Sequence, residues 1–386
     1  MDTTAVILGA GYAGVMAANR LAGRGVSVRL VSPEQRFTER IRLHEFTAGT
    51  RADPTVSFSS LLHPDVELVQ AAAAEIDAAS RRVRLAGGAS LDYDWLVYAV
   101  GSGSGSVPAG AEAPHRLAGA GSAREKLRSL KPGEPVAVVG GGLTAVEVAA
   151  ETAHAYPRNP VTLYAAGHLI QHFSAGTREG VLRSLARAGV QVRRQAVDPE
   201  HLPEAAAVLW CTGFGVPDLA AGSGLPVDAA GRLTVDSSLR VHGQERIFGA
   251  GDAAVITDPG YGYLPQTCAT AMPMGADAAS NILRSLAGEP LPPHDSGFQA
   301  QCVSLGRRDG AVQFLHPGYT PRRFHVHGRG AAGLKEVICR MTLRWIRGEA
   351  KRSGGYTWPA GPRMEAPSAR NSSWHTGAWS SPSRMT

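Results

Sequence analysis

Cysteine is scarce in this chain of 386 residues: the four present, Cys211, Cys268, Cys302 and Cys339, stand far apart with no CxxC or CxxxxC spacing. That excludes a disulfide framework, a cage of closely spaced zinc thiolates and a redox-active dithiol, and it fits a reducing, cytoplasmic location. Long apolar runs are also missing. No stretch reaches the roughly 18 apolar residues of a membrane-spanning helix, and the first residues enter a strand without a basic and apolar leader, so neither membrane spanning nor secretion is expected. Metal-ligand clusters are lacking as well. The imidazole pair His325-Val-His327 has no third ligand, so no metal is expected.

The formal charge of +6 raises the question of nucleic acid, but its distribution answers it. Residues 331–386 carry nine Lys or Arg against three Glu, which leaves residues 1–330 with equal numbers of bases and acids. The basic excess belongs to the C-terminal end, and no nucleic-acid partner is expected. Hydrophobic residues make up 44% and charged residues 19%, the balance of a globular chain, and the length calls for two or three domains. Glycine contributes 46 residues, well above the usual share of about 7%, gathered at strand ends where a backbone turns tightly around a ligand.

The first thirty residues carry the clearest motif. Thr4–Leu8 reads as a buried strand, Gly9-Ala-Gly11-Tyr12-Ala13-Gly14 as a turn, Val15–Gly23 as a helix and Val26–Val31 as a second strand. Gly9 permits the turn, Gly11 lets the backbone approach a diphosphate, Gly14 lets helix and strand pack closely, and the helix N-terminus offers free amides and partial positive charge. The unit then repeats: Pro135–Val139, Gly140-Gly-Gly142-Leu143-Thr144-Ala145, a helix through about His154, and Pro160–Tyr164. Two apolar strands, Tyr93–Gly101 and Ala207–Gly213, each end in glycine, and the first runs into a flexible Ser102-Gly-Ser-Gly-Ser106. Two dinucleotides are expected.

These residues, with Glu147 and Ile247-Phe-Gly-Ala-Gly251-Asp252-Ala-Ala, resemble the two-dinucleotide-binding-domain flavoproteins of the pyridine nucleotide-disulfide oxidoreductase superfamily, over about residues 4–290. Thr38–Phe46 holds no cysteine pair where the disulfide reductases carry theirs, so the chain is most similar to the type II NADH dehydrogenase-like branch. The resemblance implies an α/β fold with two Rossmann-like (βαβ) domains, the second inserted in the first, plus a small C-terminal α+β region. The expected segments are 1–115 and 238–296 for FAD, 116–237 for NAD(P)H, 297–350 as a C-terminal interface region and 351–386 as a disordered tail. It implies cofactor contacts at Gly9, Gly11, Tyr12, Ala13, Gly14, Ser32, Pro33, Arg42, Ala73, Gly101, Gly140, Gly142, Leu143, Thr144, Glu147, Gly213, Gly251, Asp252, Cys268 and Ala269. Catalytic roles fall to Glu147, Arg42 and His44, with Asp252 on the flavin ribityl hydroxyls and Glu147 near nicotinamide and flavin.

The implied reaction is hydride transfer from NADH or NADPH to FAD and on to a small acceptor, a quinone or another metabolite. Two alternatives stand beside it: a tailoring oxidoreductase acting on a biosynthetic intermediate, and a reductase for a ferredoxin- or rubredoxin-type carrier. The chain departs from the family pattern in four places. Ser32, followed by Glu34, replaces the acid expected on the FAD ribose, and Ala165 replaces the one expected on the coenzyme ribose, which leaves NADH and NADPH both open, with His168 or Arg178 near a 2′-phosphate. The quinone-site motif of the respiratory enzymes, with glutamines on the helix after Gly-Asp, is absent, this stretch reading Leu264-Pro-Gln-Thr-Cys-Ala-Thr-Ala-Met-Pro-Met-Gly275, and no dithiol stands beside the flavin. A helix starting between Gln266 and Thr270 aims its N-terminus at the reduced flavin, with Pro273 in its first turn. Arg40 and His44 share a helix face.

At the C-terminal end, strands Gln301–Leu305, Ala311–Leu315 and Arg323–His327 precede a helix from Gly333 to Trp345. Its stripe of Leu334, Val337, Ile338, Met341 and Trp345, flanked by Arg340, Arg344 and Arg347, suits docking on the flavin domain, a homodimer mate, or peripheral contact with the inner membrane face.

Overall fold

The computed structural model describes residues 3–363. The first unit comprises β1 (Thr4–Leu8), α1 (Tyr12–Ala22) and β2 (Ser27–Ser32). Continuous apolar runs suit parallel strands covered on both faces, and Ala5 to Leu8 are all buried. A short helix α2 (Leu43–Thr47) follows, then β3 (Val66–Gln70) and β4 (Trp95–Tyr98). β1 lies parallel between β2 and β4, with Ile7 opposite Leu30 on one side and Val97 on the other.

The chain then leaves this sheet for a second one. Gly103–Ser104 pairs antiparallel with Phe214–Gly215, and the Gly105 amide donates to the Gly213 carbonyl at 3.1 Å. The expected flexible Gly-Ser stretch is thus a short ladder that ties the outgoing strand to the returning one, because glycine lets the two backbones come close. Beyond it, β5 (Val136–Val139), α3 (Leu143–Ala155), β6 (Val161–Tyr164), α4 (Ala175–Arg187), β7 (Val190–Arg193) and β8 (Ala207–Trp210) build a parallel sheet in the order β7-β6-β5-β8. β9 (Ile247–Gly249) returns beside β4, with Ile247 opposite Leu96, and completes the first sheet in the order β9-β4-β1-β2-β3.

α5 (Cys268–Ala287) closes over α1. A Cβ at Gly275 would stand 2.1 Å from the Ala13 carbonyl oxygen, so the two helices meet backbone to backbone. Pro273 is the sixth residue of α5, beyond the first turn expected for it, so the amide it lacks is the one that would close on Ala269.

An antiparallel sheet of β10 (Ala300–Ser304), β11 (Gly310–Leu315) and β12 (Pro321–His327) leads into α6 (Arg329–Lys351), longer at both ends than the sequence pattern indicates. The buried face of α6 is Ala331, Lys335, Cys339, Thr342, Ile346 and Glu349. This corrects the expected docking of the stripe on the flavin domain: Leu334, Val337 and Trp345 are exposed. Two charges can face inward because each finds a partner, Lys335 on Glu147 and Glu349 on Arg20.

The tail expected to be disordered from Lys351 is ordered through Arg363; residues 364–386 lie outside the described residues. The Glu349 carboxylate, fully buried, accepts Arg20 Nε at 2.7 Å and the amides of Gly354 and Tyr356 at 2.7 and 2.8 Å. Trp358 Nε1 then donates to the Asp295 carbonyl at 2.8 Å. A buried ion pair and single aromatic anchors hold this segment, and neither produces a hydrophobic period.

Candidate active site

Two glycine loops open at the C-terminal ends of their sheets. Gly9 has φ +98°, and a Cβ at Gly14 would stand 1.8 Å from the Gly9 carbonyl, so turn and helix start need both glycines. Over Gly11, by contrast, a Cβ would meet nothing within 4 Å. Among the described residues the amides of Tyr12, Ala13 and Gly14 have no acceptor, and no side chain caps α1. Free amides around an open turn at a helix N-terminus are a cradle that a diphosphate fits. The second loop repeats it: open space lies over Gly142, the cap of α3, and Ala145 takes the place of the third glycine, 3.0 Å from where a Cβ on Gly140 would be. Leu143 and Thr144 supply its first amides.

The start of α5 is left open in the same way. Thr267 caps it without a side-chain bond, the Oγ1 atoms of Thr267 and Thr270 are buried without partners, and the amides of Cys268 and Ala269 find no carbonyl or carboxylate acceptor among the described residues. Gly251, with φ +78°, brings Asp252 between α1 and α5; a Cβ there would lie 3.2 Å from that of Ala13. Ser102, next to Gly101, donates to Asp252 Oδ2 at 2.7 Å, and Arg40 donates to the Ser102 hydroxyl at 3.0 Å and lies 4.0 Å from Asp252. The Tyr12 hydroxyl is buried and unpartnered, its ring edge-on to Phe37 at 5.1 Å. Free helix amides, orphaned hydroxyls and a half-buried carboxylate all fit FAD, whose oxygens accept at one end and whose hydroxyls donate at the other. Ser32 lies at the end of β2, where its hydroxyl accepts the Glu34 amide at 3.1 Å; Pro33 follows, exposed, and Ala73 is just past β3.

Glu147 stands one turn into α3 and gathers groups from all three parts of the chain. Lys335 Nζ donates to its Oε1, the Ser304 amide donates to the same oxygen at 3.0 Å, and His44 Nδ1 lies 3.5 Å from Oε2. Burial opposes the Lys335 charge, but Glu147 more than offsets it and holds the ammonium above the usual lysine value. Burial, helped by Lys335, pulls His44 well below the usual histidine value, so its imidazole is neutral and its approach to Glu147 is no ion pair. Beyond them Glu45 accepts Arg42 at 3.0 Å, Arg51 at 2.6 Å and Arg307 at 3.0 Å, and Arg42 also reaches Glu336 at 2.5 Å. Arg42, with burial opposing it, holds the Glu336 carboxyl at about 2.

His44 and Glu147 therefore come together as neighbours, whereas Arg42 sits one ion pair further out and touches Glu45 and Glu336 instead. Arg40 and His44 do not share a helix face. Arg40–Arg42 is a 3-10 turn, and Arg40 is drawn away by Ser102 and the His115 carbonyl while His44 begins α2. Sequence reasoning missed Lys335 and Ser102. Lys335 lies at i+4 from Ala331 and i−4 from Cys339 on a face that looks too polar to dock, and Ser102 lies in a stretch that reads as linker. Burial pushes the thiols of Cys268 and Cys302 up to about 12 and raises Cys339 and Cys211, so none is a thiolate near neutral pH.

Comparison with known proteins places this geometry. The family model described as pyridine nucleotide-disulphide oxidoreductase matches residues 3–275. The chain is 31% identical over 336 residues to an NADH dehydrogenase-like protein of Mycobacterium tuberculosis, covering 75% of this chain and 82% of that protein. It is 26% identical over 372 residues to an alternative NAD(P)H-ubiquinone oxidoreductase of Arabidopsis thaliana, covering 79% and 72%. Among solved structures, sulfide:quinone oxidoreductase from Aquifex aeolicus superposes with a TM-score of 0.76 at 21% identity, covering 90% and 92%; at that identity the match speaks for the fold.

Proposed function

The chain belongs to the pyridine nucleotide-disulphide oxidoreductase family and is an FAD-dependent NAD(P)H oxidoreductase, and from that premise we propose that it passes electrons to a small quinone-type acceptor at the Glu147–Lys335 pair. The observation that carries this reading is the buried Lys335 fixed on Glu147, where α2, α3 and α6 converge. The names of the relatives, an NADH dehydrogenase-like protein and a ubiquinone reductase, support it.

FAD, when bound, supplies what side chains lack: it takes a hydride from a nicotinamide and yields electrons to an acceptor. The residues bind, orient and compensate charge. The α1 N-terminus would bind the diphosphate and the α5 N-terminus would place partial positive charge at the flavin, Asp252 and Ser102 would take hydroxyls, and Gly140, Gly142 and Gly213 would shape the coenzyme side. Lys335 holds a proton at Nζ in a desolvated place, where its charge counts for more than in water and where an acceptor oxygen gaining electrons needs one. Glu147 keeps that ammonium charged and fixed, and neutral His44 closes the other carboxylate oxygen.

No described helix is long and apolar enough to cross a membrane. The outward face of α6, with Leu334, Val337 and Trp345 exposed beside Arg340, Arg344 and Arg347, suits peripheral contact with an anionic membrane surface that holds a lipophilic quinone. One experiment tests acceptor and surface together. The holoprotein is cycled with NAD(P)H against a short-chain quinone, against the same headgroup dissolved in anionic vesicles, and against a ferredoxin-type carrier. Turnover with both quinones and sedimentation with the vesicles are expected. Fast carrier reduction with idle quinones would overturn the acceptor assignment, and quinone turnover without vesicle binding would overturn the membrane assignment.

A further inference from the structure

The coenzyme end of the second βαβ unit has a chemistry of its own, and this inference rests on reading that unit as the nicotinamide-coenzyme site. In such units the adenosine ribose lies past the second strand, where a carboxylate accepts its hydroxyls and repels a 2′-phosphate. Here β6 ends at Tyr164 and continues as Ala165-Ala166-Gly167-His168. That segment lies directly against the glycine loop: the Gly141 carbonyl accepts the Ile170 amide at 2.7 Å, and a Cβ on Gly141 would stand 3.6 Å from that of Ala165. No acid stands in it. From Val161 to Val197 the one acid is Glu179, and it faces Arg183 at 3.9 Å.

Cations occupy the place instead. Arg193, the last residue of β7, sits opposite Tyr164, its carbonyl accepts the Ala165 amide at 3.0 Å, and its guanidinium lies over the Tyr164 ring, 5.8 Å from the centroid. Arg194 follows it, and His168 is exposed on the loop alongside. Among the described residues neither Arg193 nor Arg194 has a carboxylate within 4.0 Å. Arg178, the arginine the sequence brings into consideration, is already used: its guanidinium donates to the carbonyls of Gln171 at 3.3 Å and Phe173 at 2.5 Å.

We propose that Arg193, with Arg194 beside it, receives the 2′-phosphate of the adenosine ribose, so that this enzyme selects NADPH over NADH. A guanidinium presents its donors in a planar fork that matches a phosphate, and stacking on Tyr164 holds that plane at the strand end. The loss of the acid at Ala165 removes the repulsion, and Arg193 supplies the attraction from the neighbouring strand.

Calorimetric titration of the holoprotein with 2′,5′-ADP and with ADP tests this without turnover, and anaerobic flavin reduction by NADPH and by NADH accompanies it. Binding of 2′,5′-ADP at least about tenfold tighter than ADP is expected, with Arg193→Ala lowering that ratio, and the NADPH-to-NADH ratio of kcat/KM, by about tenfold. Arg193→Lys should recover part of both ratios. Equal affinities in the wild type, or an unchanged ratio in Arg193→Ala, would overturn the selectivity while flavin reduction by both coenzymes upheld the site. Failure of both nucleotides to bind and of both coenzymes to reduce the flavin would overturn the site itself.

Discussion

Gly11→Val is expected to give a folded but colourless protein. A Cβ at this position meets nothing within 4 Å and the backbone there is extended at φ −79°, so the apoprotein has room for a side chain. The space it fills is the one over the α1 amides that a diphosphate needs. Losing two or more charge-assisted bonds of about 1.5–3 kcal/mol each weakens FAD by about a hundredfold or more. Flavin absorbance after purification, read beside the thermal melting temperature, checks it. A stoichiometric flavin content in a folded Gly11→Val protein would refute the cradle. Gly14→Ala serves as the contrast: its Cβ collides with the Gly9 carbonyl, so it should damage the fold itself.

Lys335→Met is expected to cost both stability and turnover, because it leaves Glu147, mostly shielded from water, with no cation against it. Breaking a buried pair from one side typically costs about 3–5 kcal/mol, and replacing both partners recovers much of that. Glu147→Gln exposes the other half of the balance: with its counter-charge gone, Glu147 no longer opposes burial and the Lys335 pKa moves down, so the residue loses its proton at lower pH. Denaturant melts of the two single variants and of Glu147→Gln/Lys335→Met should show a double variant more stable than the sum of the singles. Stopped-flow traces should show slower electron transfer in all three while FAD stays bound. Single variants within about 0.5 kcal/mol of the wild type would show that the pair is a solvated surface contact.

Much of this was legible in residue order. Parallel strands buried on both faces write themselves as apolar runs, and Thr4–Leu8 and Val136–Val139 could be read nearly to the residue. Two glycines that must exist for steric reasons are equally plain, since Gly9 and Gly14 each stand where a Cβ would strike backbone, whereas Gly275, which meets Ala13 the same way, carried no motif. What escaped depends on distant partners. Lys335 reads as a surface lysine until Glu147, 188 residues earlier, is beside it. Glu349 reads as a helix-end acid until Arg20 makes it an anchor for the segment through Arg363. The inward face of α6 misled for the same reason: ion pairs let a polar face dock and left the apolar stripe outside. Arg193 carried no motif either, because strand pairing, not sequence spacing, brings it to the end of β6.

The most direct measurement is anaerobic mixing of the FAD-loaded protein with NADPH and, separately, with NADH, followed at the long-wavelength flavin absorbance. Bleaching in a single saturable phase, reversed when a quinone is added and unaffected by alkylation of the thiols, is the result expected of an enzyme that moves electrons from coenzyme through flavin to a small acceptor. A yellow protein whose absorbance neither coenzyme changes, or whose bleaching stops once the thiols are blocked, would contradict it.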